Sequence, residues 1–398
     1  MRRVFIGKQA ILGAALGLSL GYGMVRAAQA IRDRRAPAAP LPTPDARAYG
    51  AYKRRLMLVD LVRSTATLAA TAFVFADPLE GALRPLPRPL RAPAFVAALT
   101  LIDLVRELPT GYVESHVLER INGTSEQTAQ AWAIDQLKSG AIGLLLVSGL
   151  TAVGETVVRR APRVWPWALI AGTPVLLMLA NVVAPTFIMP LFNKFIPLEG
   201  PLEARIRALA TRYGVGDAAI LRFDMSRQTK KANAFVTGVF GTERIVLADT
   251  LIDNFADDET MFVVAHELGH YVRRDPWIAI GLGTTFIAAT ILIAKRALQA
   301  SGRTLETAAD GARFAFYAQL FTTVASPLLS AASRAIERRA DRFAIGATDD
   351  PLSGARAFRR LRDQNLAEDE APKWAEVLFA SHPSLKSRIA KLEAAVEH

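Results

Sequence analysis

The sequence predicts a mainly α-helical membrane protein, with about seven transmembrane helices and an α/β domain inserted among them. Three observations predict it. Apolar residues make up 51% of the 398 positions and charged residues only 21%, and the mean hydropathy is +0.22. Soluble domains carry about 25% charge. Apolar runs close to the ~20 residues needed to cross a bilayer recur along the chain. One stretch, 193–260, loses that character and leads directly into the pattern HExxH at His266, Glu267 and His270.

The first apolar run, 9–25, follows the basic start MRRVFIGK and ends near Ala28-Gln29-Ala30. It reads either as a cleaved signal peptide or as a first span. Eight basic residues lie between Arg26 and Arg55, against three before the run. The positive-inside rule therefore favours a retained span with the N-terminus outside. APAAPLPTP, 36–44, is a stiff connector. Spans two and three, 57–77 and 94–113, carry Asp60, Arg63, Asp103, Arg106 and Glu107. Charge is costly in lipid, so these side chains should face a protein interior or a cavity. The Pro-rich 85–93 separates the two as a turn.

The polar stretch 114–139 predicts a loop and an interfacial helix, and Asn122-Gly123-Thr124 within it matches a glycosylation acceptor. Spans four and five, 140–157 and 166–190, follow, the latter interrupted by Pro174, Pro185 and Pro190. Beyond Phe192 the pattern turns soluble. EARIRALATRYG predicts a helix stopped by Gly214, AAILRFD a strand, and AFVTGVF with RIVLADTLI a hairpin turning at Gly241-Thr242. Spans six and seven are 277–294 and 314–332. This divides the chain into a membrane region at 1–192, a catalytic part at 193–275, two further spans at 276–332, and a C-terminal part of the catalytic domain at 333–398.

The absence of cysteine excludes disulfides, thiolate metal sites and a cysteine nucleophile. The net charge of +11 fits basic loops facing anionic lipid. No basic-aromatic interleaving points to nucleic acid, which is not expected as a partner.

In MFVVAHELGHYVRRDPW, 261–277, an apolar lead predicts a helix. Positions i and i+4 share a helix face, so His266 and His270 aim at one point with Glu267 beside them. Two imidazoles and a carboxylate in this pattern suit a zinc ion with a general base. Such a site needs a third protein ligand and an open position. SRAIERRADRFAIG, 333–346, offers Glu337 and Asp341, again four apart. Glu337 is the choice for ligand, with Asp341 bonding a ligand histidine from behind. By spacing alone the two could exchange roles.

These residues resemble those of the integral-membrane zinc metalloproteases of the CAAX prenyl endopeptidase type. Five blocks carry the resemblance, over roughly 110–395: ELPTGYVESHVLERINGTSEQT with Asp135, APTFIMPLFNKFIPLE, NAFVTGVFGTERIVLADTLI, HELGH, and SRAIERRAD paired with SHPSLKSRI. HELGH alone is common, whereas the ordered set is specific. The resemblance implies a ring of seven helices around an intramembrane chamber capped by a zincin-like domain. It implies one zinc per chain held by His266, His270 and Glu337, Glu267 as general base, and Asp341 in support. It implies that Asn233, Ala234 and Phe235 pair with substrate as an edge strand. It implies that His382 and Arg388 face the open side of the metal to steady the oxyanion. The expected partners are a peptide or protein substrate, lipidated or unmodified, and membrane lipid.

The expected protein is thus a multi-pass zinc metalloendopeptidase of a bacterial cell membrane, with the zinc domain on the cytoplasmic side, processing CAAX-type prenylated peptides. A quality-control protease for damaged membrane proteins is the alternative. A non-enzymatic transporter or scaffold is a third possibility, which the intact HExxH argues against.

Overall fold

Long apolar helices account for most of the chain in a computed structural model that describes residues 45–238 and 241–396. The expectations for 9–25, 28–30 and 36–44 lie outside the described residues. Four helices come first: α1 (Ala46–Ala82), α2 (Arg88–Tyr112), α3 (Ala129–Arg160) and α4 (Trp165–Leu191). Asp45 caps α1 by accepting from the Arg47 amide, and Thr128 caps α3 by accepting from Ala131. Two more helices, α7 (Asp275–Ala300) and α8 (Ala308–Thr348), follow the soluble part. Among the described residues, five helices, all but α2 of these six, are long and apolar enough to cross a membrane. Leu145, Val324 and Leu328 stand at least 73% exposed on their surfaces, which water would penalise and lipid does not.

Three sequence expectations are corrected here. The stretch 114–139 holds its loop only at 122–128 and forms no separate interfacial helix. Its first part extends α2 through a wide π turn, Val113–Val117, to Ile121, and its second part is the start of α3. Amphipathic character there reflects a long helix leaving the membrane, not a separate element. Pro-rich 85–93 is a turn only as far as Pro87, and Pro93 sits inside α2. The boundary drawn at 332 falls within α8, which runs 41 residues without a break. Pro327 cannot donate to the Thr323 carbonyl, and the Ser326 hydroxyl donates there instead at 3.1 Å, so the helix continues.

Short connections at 83–87, 161–164 and 301–307 join successive helices at one end of this bundle. Arg313 ties that end together, donating to Asp77 at 2.6 Å and to Asp310 at 3.3 Å. The other end bears the α/β part. Its elements are β1 (Phe195–Pro197), α5 (Pro201–Arg212), β2 (Ala219–Phe223), β3 (Ala234–Thr237), β4 (Arg244–Ala248) and α6 (Asp257–Val272). Strand order is β1-β2-β4-β3, with β2 and β4 parallel and the outer pairs antiparallel. α5 closes at Gly214, whose φ of +77° suits glycine. The hairpin is present, but β4 ends at Ala248 and Asp249–Ile252 forms a helical turn. β1 was not foreseen: three residues are too few to show alternation.

The core of this part packs Ile206 of α5, Ile220 and Phe223 of β2, Ile245 and Leu247 of β4, and Phe262, Val264 and Leu268 of α6. Three C-terminal helices complete it: α9 (Pro351–Gln364), α10 (Lys373–Phe379) and α11 (Leu385–Ala394). α9 begins with Asp350 accepting from the Ser353 amide, and α11 with Ser384 accepting from Ser387. Phe358 of α9 and Ile389 of α11 join the same core.

The family-like block around 119–135 works as a clamp between the two parts. Lys230 donates its amide to the Thr124 carbonyl at 2.8 Å, Ser125 donates to the Gln228 carbonyl at 2.6 Å, and buried Asp135 accepts from Gln127 and Gln228. Asn122 of the glycosylation-like triplet donates to Leu118 at 2.9 Å, closing the helix before it. The clamp fixes 224–231, the segment that feeds β3.

Candidate metal centre

α6 carries the HExxH residues on a helix whose apolar face is wholly buried, so their positions are set by packing rather than by a loop. Glu259 at the helix start accepts from the Ala256 amide at 3.0 Å, satisfying an N-terminal donor. At Gly269 the helix meets α8 closely. A Cβ there would lie 2.9 Å from the Phe343 ring. That approach brings Glu337, six residues before Phe343 on α8, beneath the two histidines.

The Nε2 atoms of His266 and His270 both point at the Glu337 carboxylate, at 3.3 and 3.6 Å. The three residues offer ligand atoms within 4.8 Å of one another. Glu337 Oε2 is buried and has no hydrogen-bond partner. Arg388 Nη2 approaches it to 3.8 Å, beyond hydrogen-bond reach, and a buried carboxylate oxygen without a hydrogen bond is costly unless a closer cation completes it. Two nitrogens and a carboxylate oxygen, with one side open, match a three-ligand catalytic metal site. The cluster fits a divalent metal.

Each histidine is held from behind by its own carboxylate. Asp341 Oδ1 lies 3.0 Å from His266 Nδ1, and Asp275 Oδ2 lies 2.9 Å from His270 Nδ1. Protons on the two Nδ1 atoms leave both Nε2 lone pairs free for a metal. Asp275 was not foreseen. Its place is set by Arg274, whose backbone adopts φ 59° and ψ 31° and turns the chain sharply between α6 and α7. A signal existed, an acid five residues after His270. It was masked by Pro276, which made the pair read only as a helix boundary.

Burial pulls the His266 imidazole down, but the Asp341 and Glu337 carboxylates beside it outweigh that and hold the group at about 9 in the metal-free site. Burial pushes the Glu267 carboxyl up, against the pull of His266 and His270.

His382 stands on the open side, 57% exposed, with Nε2 at 3.2 Å from Glu337 Oε1 and Nδ1 at 2.8 Å from the Ser381 hydroxyl. Arg388 does not share that position. It lies behind His266, donates to both oxygens of Asp341 at 2.6 and 3.0 Å, and stacks 4.1 Å from the Phe358 ring. The expectation that it faces the open side is corrected. Asp341, half-buried behind His266, demands a cation, and a guanidinium on α11 reaches it in two-point geometry. β3 is a sheet edge beside α6. Asn233 is exposed and Ala234 buried. Phe235 is half-buried, its ring 6.0 Å from that of Phe223, so it packs on the core instead of standing over the open edge.

The bundle and the cluster together define a class: a multi-pass membrane metallopeptidase. Comparison with known proteins narrows it. The model of peptidase family M48 matches residues 198–396, half of the chain. That of the CAAX prenyl protease N-terminal region, five membrane helices, matches 44–194. A Bacillus subtilis protein named uncharacterized metalloprotease YhfN is 31% identical over 323 residues, 78% of this chain and 75% of the relative. A rice CAAX prenyl protease 1 homolog is 29% identical, covering 76% of this chain and 73% of its own. The crystal structure of Saccharomyces mikatae Ste24p superposes with a TM-score of 0.78 at 23% identity, over 97% of this chain and 98% of that one, and so shares the fold. The chain belongs to peptidase family M48, and within it to the CAAX prenyl protease type.

Proposed function

We propose that the protein is a membrane zinc endopeptidase in which His266, His270 and Glu337 hold one zinc ion per chain. The observation that carries this is the convergence of the two histidine Nε2 atoms on the buried Glu337 carboxylate, with ligand atoms within 4.8 Å of one another. Zinc so held supplies a water made acidic enough to attack near neutral pH and polarises the scissile carbonyl.

The chain's own residues do the rest. Glu267, raised by burial, takes the proton of the attacking water and passes it to the leaving amine. Asp341 and Asp275 fix the tautomers of the ligand histidines, and Arg388 holds Asp341. His382, on the open side, donates to the carbonyl oxygen as negative charge gathers there. The peptide backbone adds alongside Asn233 and Ala234 at the free edge of β3. Phe235 braces that strand from the core side.

The membrane part is read as seven spans, to which the six described long helices contribute. They surround an intramembrane chamber below the zincin-like part formed by 193–275 and 333–398. The substrate class is the lipidated C-terminal peptide named by the CAAX prenyl protease relatives. The zinc part faces the cytoplasm of a bacterial cell, and nucleic acid is not a partner. The test uses detergent-purified protein: metal content, and cleavage of a farnesylated CAAX peptide beside its unprenylated twin. One zinc per chain, faster cleavage of the farnesylated peptide, and cleavage lost in Glu267→Gln with zinc retained are expected. Proteolysis persisting in Glu267→Gln would sink the assignment. Equal rates on the two peptides would replace lipidated substrates with unmodified ones, as in a quality-control protease.

A further inference from the structure

A cavity lies at the end of the bundle away from the metal centre. It encloses about 1020 Å³, at the upper end of small-molecule sites (about 300–1,000 Å³). Lys295 on its wall is 20 residues along α7 from Asp275, which corresponds to about 30 Å, one hydrocarbon thickness. All six described long helices contribute to the lining. The interior is apolar, with Leu68, Phe95, Leu99, Leu169 and Phe314. The rim is basic, with Arg159, Arg163 and Lys295.

Two acids also line it, one paired with a base and one held by a hydroxyl. Glu155 pairs with Arg159 at 3.5 Å, and Glu306 accepts from the Thr304 hydroxyl at 2.6 Å. Among the described residues Arg163 has no carboxylate partner, and Lys295 meets only the Trp165 ring, 5.9 Å away. Among the described residues, two cations without a carboxylate partner stand against one carboxylate, Glu306, without a basic one, so the lining of this apolar space is net positive. Trp165 and Trp167 mark the same level, the latter 61% exposed, as tryptophans do at headgroup depth.

We propose that this cavity is a binding site for an anionic phospholipid, with acyl chain inside and phosphate between Arg163 and Lys295. A basic rim at headgroup depth selects the phosphate, and the apolar interior selects the chain. A zwitterionic lipid offers the same chain but carries its own cation against the rim. The site stands apart from the peptidase chemistry and nothing in it touches the metal ligands.

The test is native mass spectrometry of the full-length protein exchanged into detergent and offered phosphatidylglycerol or phosphatidylcholine of identical chains. Retention of phosphatidylglycerol is expected to be stronger by roughly 10- to 30-fold, the effect of two cations near the headgroup. The double variant Arg163→Gln/Lys295→Gln is expected to lose that preference while still binding both lipids weakly, and Lys295→Arg to keep it. Leu99→Trp, which fills the interior, is expected to weaken both lipids. Equal retention of the two lipids by the unaltered protein, or an undiminished preference in the double variant, overturns the proposal. So does displacement by inorganic phosphate at the concentration of the lipid, which would make it a free-phosphate site.

Discussion

Replacing Asp275 with alanine tests whether the second carboxylate belongs to the metal centre. Asp275 is 4% exposed and its Oδ2 accepts from His270 Nδ1 at 2.9 Å. Alanine leaves that imidazole N–H without an acceptor and frees the ring to rotate. An unsatisfied buried donor costs about 1–3 kcal/mol, and loss of a carboxylate behind a metal-bound histidine lowers metal affinity about 10- to 100-fold. The two ranges agree, so a fall of that size is expected. The milder change Asp275→Asn keeps an acceptor oxygen in nearly the same place and is expected to lose less than about 10-fold. Affinity is measured by competition against a graded series of chelators, and peptidase activity at each free zinc concentration. A positioning role predicts that excess zinc restores most of the alanine variant's activity. A merely structural role predicts a lower melting temperature of the metal-free protein and no rescue. Unchanged zinc affinity in Asp275→Ala would refute the reasoning.

Three further outcomes follow from the same geometry. Gly269→Ala drives a Cβ to within 2.9 Å of the Phe343 ring and is expected to cost about 1–3 kcal/mol. Adding Phe343→Leu should recover much of that loss in thermal unfolding, and activity with it. Arg388→Lys keeps the charge but loses the two-point grip on Asp341, so a weakened zinc site is expected with the preference between substrate peptides unchanged. Because His266 sits near 9 without metal, against an ordinary 6.5, zinc uptake at pH 7.5 should release about one proton from it, countable by calorimetry in buffers of different ionisation enthalpy. By the same shift, His266 stabilises the metal-free fold fully below pH 6.5, and that contribution fades as pH rises through 9.

The metal cluster was legible because its signal is local. HExxH puts two imidazoles on one helix face, and ExxxD repeats the spacing on another. Which carboxylate faces the metal was not legible from spacing, since Glu337 and Asp341 lie on the same face one turn apart. The crossing at Gly269 and Phe343 decides it, and that is a tertiary fact. Arg388 was misplaced for a related reason: a charge on a short amphipathic helix does not reveal which buried acid it meets. Phe235 was assigned to the substrate, whereas the pleat of β3 turns its ring toward Phe223. The long helices were found in outline but cut too short. Hydropathy marks where lipid begins and ends, and α3 and α8 continue as regular helices well past it.

α8 spans both regimes as one rod. From Ala308, on the wall of the far cavity, to Glu337 it runs 29 residues, about 43 Å. A rod of that length acts as a lever: tilting it by about 2° at the far end moves Glu337 by roughly 1.5 Å. Displacements near 1 Å can cost about 100-fold in rate, and helices tilt to match the thickness of the bilayer around them. A tilt imposed on this one helix by the surrounding bilayer is therefore felt at Glu337 as well as at the far cavity.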